Sequence, residues 1–100
     1  MDLRDQQDAT VLIVSGELDM ASSPQLVAAL ERLDPGGRPV ILDLSSLEFI
    51  DVTGLRVLLE ARERAREDGV ALKLVNVSRG VRKLLKLTRT TELLDGLESR

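Results

Sequence analysis

Thr10 to Val14 reads Thr-Val-Leu-Ile-Val, apolar on both alternating faces, and stops at Ser15-Gly16. Such a run predicts a strand covered on both sides of a sheet. Val40-Ile41-Leu42-Asp43-Leu44 repeats the pattern, and Ala71 to Val77, interrupted by Lys73, is a third run of the same kind. The charged stretch Asp2 to Asp5 predicts a short antiparallel edge strand beside the first run, with Gln6-Gln7-Asp8 as the connection. Between the runs the apolar spacing turns helical. Ser23 before Pro24 predicts an N-cap with Pro at the first helical position, and Leu26, Ala29, Leu30 and Leu33 form the stripe of a helix ended by Asp34-Pro35-Gly36-Gly37. Ser45 to Ile50 is expected to be a connection. A second helix is predicted over Thr53 to Asp68, with Leu55, Leu58, Leu59 and Ala65 on one side and Gly69 as its stop. Its Glu60–Arg64 and Arg64–Asp68 spacings are i,i+4 opposite-charge pairs, each worth about 0.2–0.5 kcal/mol on an exposed face. Ser78 is placed to cap a third helix carrying Val81, Leu84, Leu85 and Thr88, whose Arg79, Arg82, Lys83 and Lys86 form a solvated face. A short final helix is expected from Thr90 or Thr91 through Leu97.

Strand and helix alternate three times with short connections. This predicts an α/β fold, a mainly parallel sheet of about four strands with right-handed crossovers, helices against it and the antiparallel N-terminal edge strand. One hundred residues suit one domain, spanning residues 1–100.

Composition narrows the chemistry. There is no Cys, His, Trp or Tyr, and Phe49 is the single aromatic. Disulfides, thiolate nucleophiles, imidazole bases and a serine-type triad are therefore excluded. A net charge of −3 and one aromatic give no reason to expect a nucleic-acid partner. The first residues, Met1-Asp2-Leu3-Arg4-Asp5, lack a basic and an apolar leader region, and no apolar stretch approaches a membrane span. The chain is expected to be soluble and cytoplasmic, without a membrane partner.

The loops that leave the carboxyl ends of parallel strands share one edge, where ligands of α/β sheets usually bind. Here they carry Glu17-Leu18-Asp19-Met20-Ala21-Ser22, the stretch from Ser45 to Gly54, and Asn76-Val77-Ser78-Arg79-Gly80. Asp19, Asp51, Thr53 and Arg79 are thus candidates for one surface. In Asp51-Val52-Thr53-Gly54-Leu55 an acid and a hydroxyl precede an apolar-periodic helix, which suits a cap. Gly54 in a first helical turn costs up to about 1 kcal/mol relative to Ala, and close approach of another molecule is one reason to keep it. The helix start also tolerates a phosphate, which makes a hydroxyl there a natural modification site.

These residues resemble a known family. Gly16-Glu17-Leu18-Asp19, Leu42-Asp43-Leu44-Ser45 and Phe49-Ile50-Asp51-Val52-Thr53-Gly54-Leu55 are similar to the STAS domain of bacterial anti-sigma factor antagonists, and the likeness runs from the opening strand to the Leu84-Leu85 helix. By position the resemblance implies that Thr53 is the phosphorylated residue, flanked by Asp51 and Gly54, and that Asp19 is the acidic position of the neighbouring loop. Where the family often has a second Ser, this chain has Val52. The implied function is a binding module. Unphosphorylated, it holds an anti-sigma factor that is also a Ser/Thr kinase and so frees a sigma factor; phosphorylation of Thr53 switches it off and a phosphatase resets it. Asp19, Met20, Asp51, Val52, Thr53, Gly54 and Leu55 are the expected partner-binding residues. No cofactor is implied, since Gly36-Gly37 is a turn rather than a phosphate-binding loop and ATP belongs to the kinase. Two alternatives stay open. One is a STAS subunit of a transporter or stress-signalling scaffold in which Thr53 only helps to cap. The other is an enzyme in which Asp19, Asp43 and Asp51 hold Mg²⁺.

Overall fold

The computed structural model describes residues 2–5, 8–33 and 36–89. These residues form two consecutive strands followed by alternating helices and strands: β1 (Asp2–Asp5), β2 (Thr10–Leu18), α1 (Ser23–Glu31), β3 (Val40–Ile50), α2 (Val52–Glu67), β4 (Leu72–Val75) and α3 (Arg79–Leu87). The sheet order is β1-β2-β3-β4. β1 runs antiparallel to β2, whereas β2-β3 and β3-β4 are parallel. This is the mainly parallel, antiparallel-edged α/β architecture that the alternation predicts. The expected helix beyond Thr90 lies outside the described residues.

Consecutive parallel strands joined by same-handed crossovers place α1 and α2 on one face of the sheet. There Leu12, Val14, Leu42, Leu44 and Leu74 share a core with Leu26 of α1, Leu55 and Leu58 of α2, and Val81 and Leu85 of α3. The opposite face is buried too, through a smaller cluster of Ala9, Val11, Ile41 and Val75. Strands apolar on both faces are thus covered on both.

Two strands are longer than their apolar runs. β2 continues through Ser15-Gly16-Glu17-Leu18, and Ser45 to Ile50, expected as a connection, continues β3. The cause is pairing: Ser15, Gly16, Glu17 and Leu18 register with Ser46, Leu47, Phe49 and Ile50, while β4 accompanies β3 only as far as Asp43. Beyond that point β2 and β3 form a two-stranded extension that needs backbone partners more than apolar side chains. Register shifts between Ile13 and Ser15 and between Gly16 and Glu17 re-aim the side chains. Burial therefore falls on Leu44, Leu47 and Ile50, every third residue instead of every second. Gly16, at the second shift, has φ +77, a conformation that residues with a Cβ rarely adopt.

The helix starts also differ in detail. Ser22, not Ser23, is the N-cap residue of α1, and its hydroxyl turns back to donate to the Glu17 carbonyl (2.6 Å) rather than capping. Pro24 follows within the first turn. Ser78 does cap α3, accepting the Val81 N–H at 3.2 Å. On α2 neither Glu60–Arg64 nor Arg64–Asp68 closes to ion-pair distance; Arg64 lies along the groove between α1 and α2. Exposed pairs gain too little to hold two long side chains in one geometry.

Candidate functional site

Between β3 and α2 only Asp51 intervenes. Its extended backbone (φ −111, ψ −174) makes it the N-cap of α2, and its carboxylate accepts the N–H of Gly54 at 2.9 Å. The backbone carbonyl of Asp51 takes the Leu55 N–H, also at 2.9 Å. Val52 and Thr53 are then the first two helical residues, whose N–H groups have no intrahelical acceptor. Asp51 is therefore the cap, and Thr53 does not perform that task. Thr53 is half-buried in the first turn, and no described residue hydrogen-bonds its hydroxyl.

A second backbone bond ties this turn to the loop after β2. The Asp51 N–H donates to the Leu18 carbonyl at 3.2 Å. Asp19, the next residue, is thereby brought to the same edge as Asp51. Its carboxylate is occupied locally, with Oδ1 accepting the N–H groups of Ala21 and Ser22 at 3.0 Å each. The Asp19 N–H in turn donates to the Ser22 hydroxyl at 2.9 Å. The Ser22 backbone N–H, followed by the Ser22 hydroxyl, which lies 3.0 Å from Oδ1 and shares its one proton between it and the Glu17 carbonyl, and the Ala21 N–H hold the Asp19 carboxyl below its ordinary value. Asp19 is thus an ionised turn-former whose other oxygen remains available.

The expected partner-binding residues divide sharply by burial. Met20 (75% exposed) and Val52 (59%) face solvent. Gly54 and Leu55 do not: Leu55 is 3% exposed and belongs to the main core. Leu55 stands one turn before Leu58, and both enter the main core, whereas Val52, the first residue of the helix, lies at its open end. Gly54 is kept by its own chain. A Cβ there would lie 2.9 Å from both the carbonyl carbon and Cγ of Leu18, and closer still to the carbonyl oxygen. Close approach was the right reason for this glycine, but the approaching group is the end of β2 and not another molecule.

Phe49 is a surface residue that sequence reading passed over. It is 50% exposed near the end of β3, paired in register with Glu17. With Met20 and Val52 it gives the carboxyl edge of β2 and β3 three exposed large apolar side chains. Its place in a supposed connection hid it; the only available signal was that the chain's single aromatic directly precedes Ile50-Asp51.

Asp43 lies apart from Asp19 and Asp51. Its carboxylate accepts the Ser45 N–H at 2.9 Å and the Asn76 side-chain amide at 3.1 Å, tying the first half of β3 to the residue that follows β4. Among the described residues no group of three or more His, Cys, Asp or Glu is placed to hold a metal ion. The Mg²⁺ arrangement of Asp19, Asp43 and Asp51 is therefore not formed. Arg79 opens α3, with no described bond to Asp19, Asp51 or Thr53.

Residues 1–95 match the family described as "Mlab, STAS domain". The chain is similar to the anti-sigma-B factor antagonist of Bacillus subtilis, 26% identical over 95 residues that cover 95% of this chain and 87% of that protein. It is also similar to solute carrier family 26 member 10 of Mus musculus, 39% identical over 70 residues, covering 67% of this chain and 10% of that protein. Among solved structures, an anti-sigma factor antagonist from Mycobacterium paratuberculosis superimposes with a TM-score of 0.80 at 27% identity, over 95% of this chain and 80% of that one.

Proposed function

The chain belongs to the STAS-domain family, and from that premise we propose that it is an anti-sigma factor antagonist gated by phosphorylation of Thr53. Unphosphorylated, it binds an anti-sigma factor that is a Ser/Thr kinase, and the sigma factor is released. The observation that carries this reading is the unengaged Thr53 hydroxyl in the first turn of a helix capped by Asp51, beside exposed Val52 and on the same edge as Met20 and Phe49. The likeness to antagonists along nearly the full chain supports it.

In the kinase, the Thr53 oxygen attacks the γ-phosphorus of ATP; the bond to ADP breaks and the hydroxyl proton passes to a base of the kinase. The chain supplies no catalytic group. The product adds about −1.5 to −2 charges beside Asp51. Within the monomer these charges meet the free N–H groups and positive end of α2, a favourable term of about 0.3–1 kcal/mol. Across the interface they meet desolvation and like-charge repulsion, and a loss of about 3 kcal/mol lowers affinity by about two decades. Release then needs no unfolding. A phosphatase removes the phosphate and resets the module. No described helix is long and apolar enough to cross a membrane, and the reading places the protein in the cytoplasm.

The likeness to the mouse solute carrier favours a second reading, a STAS subunit of a transporter or scaffold in which Thr53 is never modified. Incubation with the anti-sigma factor kinase and ATP, followed by mass spectrometry, separates the two. One phosphate on Thr53, lost in Thr53→Ala, supports the gate; an unmodified Thr53 supports the subunit. If Thr53→Glu binds the kinase as tightly as the parent, the electrostatic gate is refuted.

A further inference from the structure

The residues of α3 distribute their charge unlike any other element. Arg79, Arg82, Lys83 and Lys86 stand at i, i+3, i+4 and i+7, the spacing of one helix face, opposite the buried Val81 and Leu85. All four are exposed, Arg89 follows just past the helix end, and no acid interrupts residues 79–89. None of the five makes an ion pair or side-chain hydrogen bond with a described residue. Within the helix, Arg79–Lys83 and Arg82–Lys86 are like-charge i,i+4 pairs and Arg79 sits at the positive end of the dipole, while Lys86 in the last turn is favourably placed. Helix α2, by contrast, mixes signs along its exposed face, with Glu60, Glu63 and Glu67 among Arg56, Arg62 and Arg64. With −3 overall and +5 between Arg79 and Arg89, the rest of the chain carries −8. Among the described residues this concentrated cationic row on an acidic body meets no acidic partner.

We propose that the exposed face of α3 docks an acidic helical segment of a second protein, with carboxylates at i, i+3, i+4 and i+7. The four cationic positions span about 10 Å of a rigid helix, so carboxylates held at the same spacing meet all four together, whereas an acidic coil would lose ordering entropy to do so. Arginine at two of the positions adds bidentate geometry for carboxylates. A lipid surface fits less well. The apolar face of α3 is committed to the core, which leaves Leu87, 72% exposed, as its one exposed large apolar side chain for insertion. Nucleic acid fits less well again, because α3 has no aromatic to stack on a base and the body behind it is acidic.

Fluorescence anisotropy with a labelled helical peptide bearing Glu at i, i+3, i+4 and i+7 tests the assignment. A composition-matched peptide with scrambled Glu positions, phosphatidylserine vesicles and duplex DNA serve as competitors. The patterned peptide is expected to bind at least about tenfold more tightly than the scrambled one, with affinity falling as salt shortens the screening length. The triple substitution R82E/K83E/K86E should abolish binding, and R82Q/K83Q/K86Q should weaken it with unchanged circular dichroism. Absence of binding at low salt, equal binding of the scrambled peptide, stronger competition by vesicles or DNA, or indifference to the glutamine substitutions would each overturn the proposal.

Discussion

Replacing Gly54 with alanine adds one methyl group where α2 meets the end of β2. That methyl would fall 2.9 Å from the carbonyl carbon and Cγ of Leu18, a distance that real Cβ atoms do not keep. Neither side can swing away, since Leu18 is fully buried and its carbonyl already accepts the Asp51 N–H at 3.2 Å. The first turn of α2 must retreat, and the Asp51 bond stretches with it. Overpacking of this kind costs about 1–3 kcal/mol. Weakening a buried backbone hydrogen bond adds about 1 kcal/mol. Alanine's better helix propensity returns at most about 1 kcal/mol. The balance is a loss of about 2 kcal/mol, equivalent to a fall in Tm of about 8–16 °C for a domain of this size. Urea unfolding followed by far-UV circular dichroism should show a lower midpoint at unchanged slope. Gly80, also in the first turn of a helix, is the control, because a Cβ there meets nothing. Gly80→Ala should be neutral or stabilising by up to about 1 kcal/mol. A Gly54→Ala protein as stable as the parent would refute the contact as the reason for the glycine.

Three further outcomes are expected. Asp51→Ala should lose about 1 kcal/mol with the cap, whereas Asp51→Asn, which keeps the acceptor for Gly54, should lose little; paired unfolding curves distinguish them. Because hydrogen bonds depress the folded-state pKa of Asp19, its stabilising contribution is present above the ordinary carboxylate value of about 4 and vanishes as pH falls through the depressed value. The stability gap between parent and Asp19→Asn should therefore close on acidification, and a gap independent of pH would contradict the turn's dependence on the carboxylate. Phe49→Ser should leave the unfolding free energy within about 0.5 kcal/mol of the parent, as exposed positions do, while weakening binding of the proposed kinase partner at least about tenfold by titration calorimetry.

Much of the architecture was legible along the chain. Runs apolar on both faces marked the interior parts of β2, β3 and β4, because a strand buried on both sides has no polar face to show. Helical spacing and the punctuation at Pro24, Gly69 and Ser78 located three helices, and Asp51 stood where a cap belongs. The absence of Cys and His removed whole classes of chemistry. The carboxyl-edge loops and the hydroxyl at a helix start pointed to a site around Thr53, and the family likeness gave it a role.

Contacts between distant segments were decided only in three dimensions. Ser45 to Ile50 became strand because Ser15 to Leu18 supplied its backbone partners, although neither segment advertises a strand through its own side chains. Gly54 and Leu55, adjacent to the proposed phosphoacceptor, turned inward because α2 closes against the Leu18 carbonyl, and Phe49 stayed half-exposed on the extension of β3 that β4 does not accompany. Local pattern reports which residues avoid water. Which residue faces a partner depends on the neighbouring segment that already covers the rest.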